Sequence, residues 1–375
     1  MRPVPNTGSR NRGRASLGVL ACAAALMASS TSARALSVDA APKFHIDPSV
    51  RSRGMGGASG AVFWGRGTND WANPALLGLA GGISYTGGTT DLYKADQLTH
   101  RWTLGYGGIG FAAAGDPFSG PPGLEIVADP GILTSSTDEV RSWGIGASLS
   151  GIAAAVAGLG HGEPPAFTRY ADLGFGYNHK GSNTSLHSPF GTFETSAVGV
   201  DWGLLARGAF PFALGGGAIP ARVEGGYAYS VMNANDVGSA PVVRSHRHGI
   251  AARFGLDLPA SWRDRLPSWL AAGFEPLVSV GAAWDRDFIS DGSGPTNHDA
   301  SYLGGELGLA GVAFLRFGSQ TGYNSWGYGL GLPVGRFGGI RYDEAKLAEI
   351  SGRDPLTSHS WSVWADPVEM TRALR

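Results

Sequence analysis

Thiols are almost missing from this sequence: one cysteine, Cys22, occurs in 375 residues. It sits in an N-terminal stretch where Arg2, Arg10, Arg12 and Arg14 precede an apolar run, Leu17 to Ala28, that leads to Ala33-Arg34-Ala35. That order is the pattern of a secretory signal peptide with an A-x-A cleavage site, so residues 1–35 are expected to be removed. An acylated lipoprotein cysteine is the other reading of Cys22, but Leu20 fits it poorly and the apolar run continues to Met27. Without the signal the chain has no thiol, which excludes disulfides, thiolate metal sites and cysteine catalysis.

Charge is also scarce, at 16% Asp, Glu, Lys and Arg. Removing residues 1–35 takes away five Arg and no acid, leaving 24 Lys+Arg against 30 Asp+Glu. A net acidic chain is a poor partner for nucleic acid. Past the signal no apolar stretch approaches the roughly 18–20 residues of a membrane-spanning helix. Neither H-E-x-x-H nor G-x-S-x-G occurs. Gly105-Tyr106-Gly107-Gly108-Ile109-Gly110 satisfies G-x-G-x-x-G, yet Phe111-Ala112-Ala113-Ala114-Gly115 follows where a dinucleotide site needs a helix, so a turn or strand is expected. No enzyme, cofactor or metal is expected. His246 and His248 could project from one strand face as a metal pair, but the sequence offers no third ligand, and a polar barrel rim accounts for them.

What is abundant is glycine, 60 residues, and a period of two. Residues 36–53 are polar and irregular. From Gly54 to Gly82 glycine and alanine are too frequent for a strong strand, and Asn73-Pro74 predicts a single helical turn over Ala75 to Leu79, capped by Asn73 with Pro74 in its first position. Beyond Gly82, Val278, Val280, Ala282 and Trp284 alternate with Ser279, Gly281, Ala283 and Asp285. Trp326, Tyr328, Leu330 and Leu332 alternate with Ser325, Gly327, Gly329 and Gly331.

Two architectures alternate in this way. A soluble sandwich needs Lys, Glu and Thr on its outer face. Here the minor face is Gly, Ala and Ser with single charges at Asp201, Arg207, Glu224, Arg253, Asp257 and Glu306. Turned inside out, the pattern is that of a membrane barrel, with apolar side chains towards lipid, small or polar ones towards the lumen, and girdles that Trp102, Tyr177, Trp202, Trp284, Phe317 and Tyr342 would supply. The fold class expected is therefore all-β: a transmembrane antiparallel β-barrel of about 12–14 strands in the outer membrane.

Strands are expected near 82–88, 100–106, 108–115, 139–149, 151–158, 168–178, 194–207, 221–232, 243–258, 271–288, 301–317, 323–332 and 335–343. Residues 116–138, with Pro117, Pro121, Pro122 and Pro130, read as a loop, as do 179–193 and 289–300. The barrel is expected to span 82–343 with 344–375 as a polar tail, in preference to a last strand at 358–365.

Gly54-Met55-Gly56-Gly57-Ala58, Asn69-Asp70 and Asn73-Pro74-Ala75, followed at once by alternation from Ile83, resemble the N-terminal region of FadL/PorV-type outer-membrane proteins. The match covers about 30 residues, and the strand pattern extends it loosely to residue 343. The resemblance implies an N-terminal segment, 36–81, plugging the lumen of a roughly 14-stranded barrel as a hatch. Gly56, Gly57, Asn73 and Pro74 would shape that hatch. It further implies passive passage of small hydrophobic, fatty-acid-like molecules through a hatch-gated lumen. The alternative from the same superfamily is a PorV-like accessory barrel binding proteins of export or surface assembly. The hatch region is short and the chain smaller than typical FadL members. Arg207, Arg253 and Glu306 are the lumen-facing ligand candidates. Either arginine could receive a carboxylate headgroup, while ion pairs bracing the lumen are the structural reading of the same residues. Membrane lipid is the remaining expected partner.

Overall fold

A computed structural model of the chain describes residues 47–65, 69–92, 95–115, 124–128, 135–159, 165–188, 191–234, 237–238, 244–267, 276–290, 297–335, 337–347 and 356–373. The expected signal peptide and residues 36–46 lie outside them. Among the described residues sixteen strands form one antiparallel sheet: β1 (Gly82–Leu92), β2 (Ala95–Tyr106), β3 (Ile109–Ala114), β4 (Leu124–Ala128), β5 (Ser135–Ser148), β6 (Ala171–Ser188), β7 (Gly191–Leu214), β8 (Ile219–Met232), β9 (Val237–Gly238), β10 (Arg244–Leu256), β11 (Val278–Ser290), β12 (Asn297–Leu309), β13 (Ala313–Gln320), β14 (Tyr323–Val334), β15 (Gly338–Leu347) and β16 (Leu356–Ala365). Strands β3 and β4 both lie between β2 and β5 and make one stave, and β9 only adds two residues to β7. Fourteen staves result, and β1 pairs with both β2 and β16, so the sheet closes on itself.

The faces are those of a barrel in lipid. On β14, Ser325, Gly327, Gly329 and Gly331 are turned inward while Trp326, Leu330 and Leu332 are exposed, Leu332 to 70%. Leu104, Phe175, Ile250, Leu315 and Val363 repeat the exposure on other strands. Closure leaves no free edge, which an apolar solvent requires because it cannot hydrogen-bond a stray backbone group. No described helix is long and apolar enough to cross a membrane.

Several sequence expectations are corrected. Residues 151–158 are not a strand but part of helix α2 (Leu149–Leu159), whose Ala153-Ala154-Ala155 run favours a helix once the chain has left the sheet. The loop expected at 116–138 contains β4 and the start of β5, while 116–123 and 129–134 lie outside the described residues. That expected at 179–193 is strand on both sides of residues 189–190: the sheet continues through polar residues such as Asn183 and Ser185, where no apolar period signals it. Of 289–300, both ends are strand and 291–296 lie outside the described residues. The segment 301–317 is two strands joined at 310–312, where Ala310 and Gly311 take positive φ. Leu309 stands opposite Ala313, so the turn preserved the phase of the alternation and hid itself. Finally, the tail expected at 344–375 contains strand, while 348–355 and 374–375 lie outside the described residues. Strand β15 runs to Leu347, and β16 supplies the closing ladder that lipid demands.

Inside the barrel lie residues 47–65 and 69–81. They comprise helix α1 (Val50–Gly54), an irregular stretch, and a 3-10 helix, Pro74–Leu79. The turn read from Asn73-Pro74 is present, with the Asn73 side chain accepting from the Ala75 amide and Pro74 at the helix start. Met55, Ala58, Ala61, Val62, Phe63, Trp64, Ala75 and Leu76 cluster together, joined from the wall by Leu205 and three small residues, Ala228, Ala251 and Ala283. Each large apolar side chain removed from water stabilises such a cluster by roughly 1.5–3 kcal/mol. The segment therefore brings most of its own core to a wall of alanine and glycine.

Candidate functional site

Polar contacts join this segment to many strands of the wall. Arg53 donates to Thr90 (2.8 Å) on β1, Gln97 (2.5 Å) on β2 and Ser358 (3.0 Å) on β16. Asp285 on β11 accepts from the Ser59 and Gly60 amides at 2.9 and 2.8 Å and from Arg247 Nε of β10 at 3.0 Å. Ser230 on β8 donates to the Ala72 carbonyl at 2.9 Å, and Asp70 forms an ion pair with Arg101 of β2. Burial pushes the Asp70 carboxyl above its ordinary value, while Arg101 and Lys180 pull it down. Burial likewise lowers the Arg53 guanidinium to about 10, against the attraction of Asp47.

The residues singled out from sequence fall where the segment meets the wall. Gly56 and Gly57 have φ of 65° and 84°. A β-carbon at Gly56 would overlap the Ser319 backbone, and one at Gly57 would come within 2.7 Å of the Tyr302 ring. Positive φ and close approach both call for glycine here. Asn73 is fully buried: its Nδ2 donates to the carbonyls of Gly60 within the segment and Leu204 on the wall, both at 3.1 Å, while Oδ1 caps Ala75 at 3.0 Å. Pro74 packs where the wall has Gly176, whose absent side chain leaves it room.

The three ligand candidates separate. Glu306 is saturated, accepting from Arg51 Nε (3.0 Å) and Nη2 (2.8 Å), Trp64 Nε1 (3.2 Å) and Arg316 Nε (2.8 Å). Its neighbour Arg316 also holds Asp343 at 2.8 Å, and Asp343 accepts from Arg341. Arg207 pairs with Asp172 at 2.9 Å and lies 5.7 Å from the Phe63 ring, its side chain about a third exposed. Arg253 pairs with Glu224 and lies 5.6 Å from the Trp64 ring. Two guanidiniums thus flank the adjacent aromatic pair Phe63–Trp64, whose ring centroids are 5.5 Å apart.

Sequence reading missed most of the partners. Arg51 and Arg53 read only as part of a polar lead-in. Lys180, which pairs with Asp201 at 2.5 Å in complete burial beside Trp71, lay in an expected loop. Asp285, Arg247 and Arg316 were legible in principle, since each sits on the small-residue face of an alternating strand. His246 and His248 do share one face of β10, the outer one, bonded to Tyr229 and Tyr227, and no group of three metal-ligating side chains occurs among the described residues.

The closed ladder, its even stave number and its inverted faces define an outer-membrane β-barrel. No family model matches the chain, and no curated protein does. Solved structures do resemble it. The Ralstonia pickettii toluene transporter TbuX is 13% identical with a TM-score of 0.41, over 84% of this chain and 96% of that one. A Pseudomonas aeruginosa FadL homologue is 10% identical with a TM-score of 0.36, over 84% and 98%. The β domain of the Bordetella autotransporter BrkA is 13% identical with a TM-score of 0.38, over 76% and 98%. Channels and an autotransporter score alike at this distance, so the class rests on the strand ladder and the task on the site.

Proposed function

We propose that the chain passes small hydrophobic molecules with an acidic head, such as fatty acids, passively across the outer membrane, with residues 47–81 as the hatch. The observation that carries the reading is the placement of Arg207 and Arg253 on either side of Phe63 and Trp64. An apolar cluster flanked by two guanidiniums suits a tail and a carboxylate together. Glu306 takes the other part in this reading, anchoring the hatch through Arg51 rather than touching ligand. Most of the apolar cluster consists of hatch residues, seated against small wall residues, so in this reading the hatch shifts as a unit by leaving those glycine and alanine notches and exchanging polar wall contacts for water.

The decisive experiment clamps the hatch. In a chain whose one native cysteine, Cys22, is left out of the expressed protein, Ala72→Cys and Ser230→Cys are bridged by a short bismaleimide, and uptake of a fluorescent fatty acid into proteoliposomes is measured. Uptake that falls on bridging and is unaffected by single labelling supports the gate. Full uptake by the bridged barrel removes it.

A second reading, an accessory barrel for export or surface assembly, has its own observation. Strand β7 is 24 residues long, and its first ten residues extend past the end of β8, where the two-residue β9 pairs with Ala197 and Val198. Loss of a co-purifying protein on shortening the β6–β7 hairpin, with uptake absent throughout, would favour it.

A further inference from the structure

The outer surface carries a second group of polar side chains, where a barrel in lipid has least use for them. On β10 the outward positions run Phe254, Ala252, Ile250, His248, His246, Arg244, so an apolar stretch gives way to basic residues towards the end opposite the chain termini. The neighbouring strands agree. Arg286 stands beside His248 and Phe288 beside His246 on β11, and Tyr227 and Tyr229 face outward from β8. Arg247, Asp285 and Asp287 alternate with these and are buried on the inner side, so they do not neutralise the outer cluster. Among the described residues the acid facing it is Asp299 of β12, 2.6 Å from Arg286, with both side chains nearly half exposed.

Hydrogen bonding prepares these groups for an anion. Tyr227 Oη lies 2.8 Å from His248 Nδ1, and Tyr229 Oη lies 2.9 Å from His246 Nδ1. In the tautomer that places the ring proton on Nε2, the tyrosine hydroxyl donates to Nδ1 and Nε2 is left to donate to an anion. Arg286 lies 4.9 Å from the Phe288 ring. Leu204, Tyr227, Tyr229, His246, His248 and Phe288 enclose a shallow depression on this face. Below it are Ile250, Val280 and the rest of the apolar wall.

We infer that this depression binds the phosphate headgroup of a membrane lipid, with Arg244, Arg286 and the two imidazoles as donors and the apolar wall beneath receiving the acyl chains. Only a lipid is both available to this face and amphipathic in that vertical order. A phosphate suits a fork of guanidinium donors, and Arg286 needs only to exchange Asp299 for it. The site is independent of whatever passes through the lumen.

The test is native mass spectrometry of the detergent-purified barrel incubated separately with phosphatidylglycerol, with a short-chain lipopolysaccharide, and with uncharged monogalactosyldiacylglycerol. The variants are Arg244→Ala with Arg286→Ala, and His246→Phe with His248→Phe. Their folding is checked by the heat-dependent gel shift of a closed barrel. Each pair is expected to lower retention of a phosphate lipid about fivefold, in line with a few partly exposed charge contacts, and to leave the galactolipid unchanged. Loss confined to lipopolysaccharide assigns the site to the outer leaflet, and loss confined to phosphatidylglycerol assigns it to a phospholipid. Retention equal to the unmodified barrel for both phosphate lipids overturns the site, as does an equal loss of all three lipids.

Discussion

Glu306 accepts four hydrogen bonds from two arginines and a tryptophan, so neutralising it takes from buried Arg51 the carboxylate that pairs with it, while Arg316 keeps Asp343. Removing one partner of such a group costs about 3–5 kcal/mol, more than any surface pair returns. Glu306→Gln is expected to lower the stability of the folded barrel by about 3 kcal/mol on that basis. The measurement is the urea midpoint of the gel-shift transition, and an unchanged midpoint would mean that water already solvates the site. Asn73 offers a finer contrast, because its two ends do different work. Asn73→Asp keeps the oxygen that caps Ala75 but turns the donor to Gly60 and Leu204 into an acceptor facing carbonyls. A lost cap alone is worth about 1 kcal/mol. If the wall contact matters more, Asn73→Asp will expose the segment to protease at least as fast as Asn73→Ala does. Slower cleavage of the Asn73→Asp variant would show that the cap contributes more than the wall contact.

At the scale of elements, β16 decides whether a barrel exists. It pairs with β1 over Ile83 to Thr90 and with β15 over its whole length, so without it two edges would meet lipid unpaired. Ending the chain at residue 355 is expected to abolish the heat-dependent gel shift in refolded protein, whereas ending it at residue 366 preserves it. A shift retained by the shorter chain would mean that β1 and β15 can pair directly. This strand was hard to read from sequence for a physical reason: Ser358, Ser360 and Ser362 interleave with His359, Trp361 and Val363, and the residues between β15 and β16 carry no apolar period. The same reason hid the upper half of β6. Most other staves were legible because lipid on one face and a crowded lumen on the other enforce a period of two, as on β14. The 3-10 turn was legible because Asn-Pro fixes a cap and a φ together. Alternation says which side a residue faces but not which residue stands opposite, so Glu306 could be placed inward while its partners, Arg51 and Arg316, could not be named.

For the whole molecule, the wall and its contents are separable. Every stave is paired to its neighbours through strand backbone alone, and none of those ladders passes through residues 47–81. Deleting 47–81 should therefore leave a closed barrel. Its inward charges, Asp285 and Glu306 among them, would lose segment partners, but a lumen refilled by water solvates them, so the heavy cost of an unpaired buried charge does not apply. The closed state is then expected to survive with reduced stability, while planar-bilayer recordings show a steady conductance that the intact chain lacks. Restoring the segment as a separate peptide should suppress that conductance, since its apolar cluster assembles mostly from its own residues. A deletion that folds yet conducts no better than the intact barrel would mean that this segment does not close the lumen, and the hatch reading would fall with it.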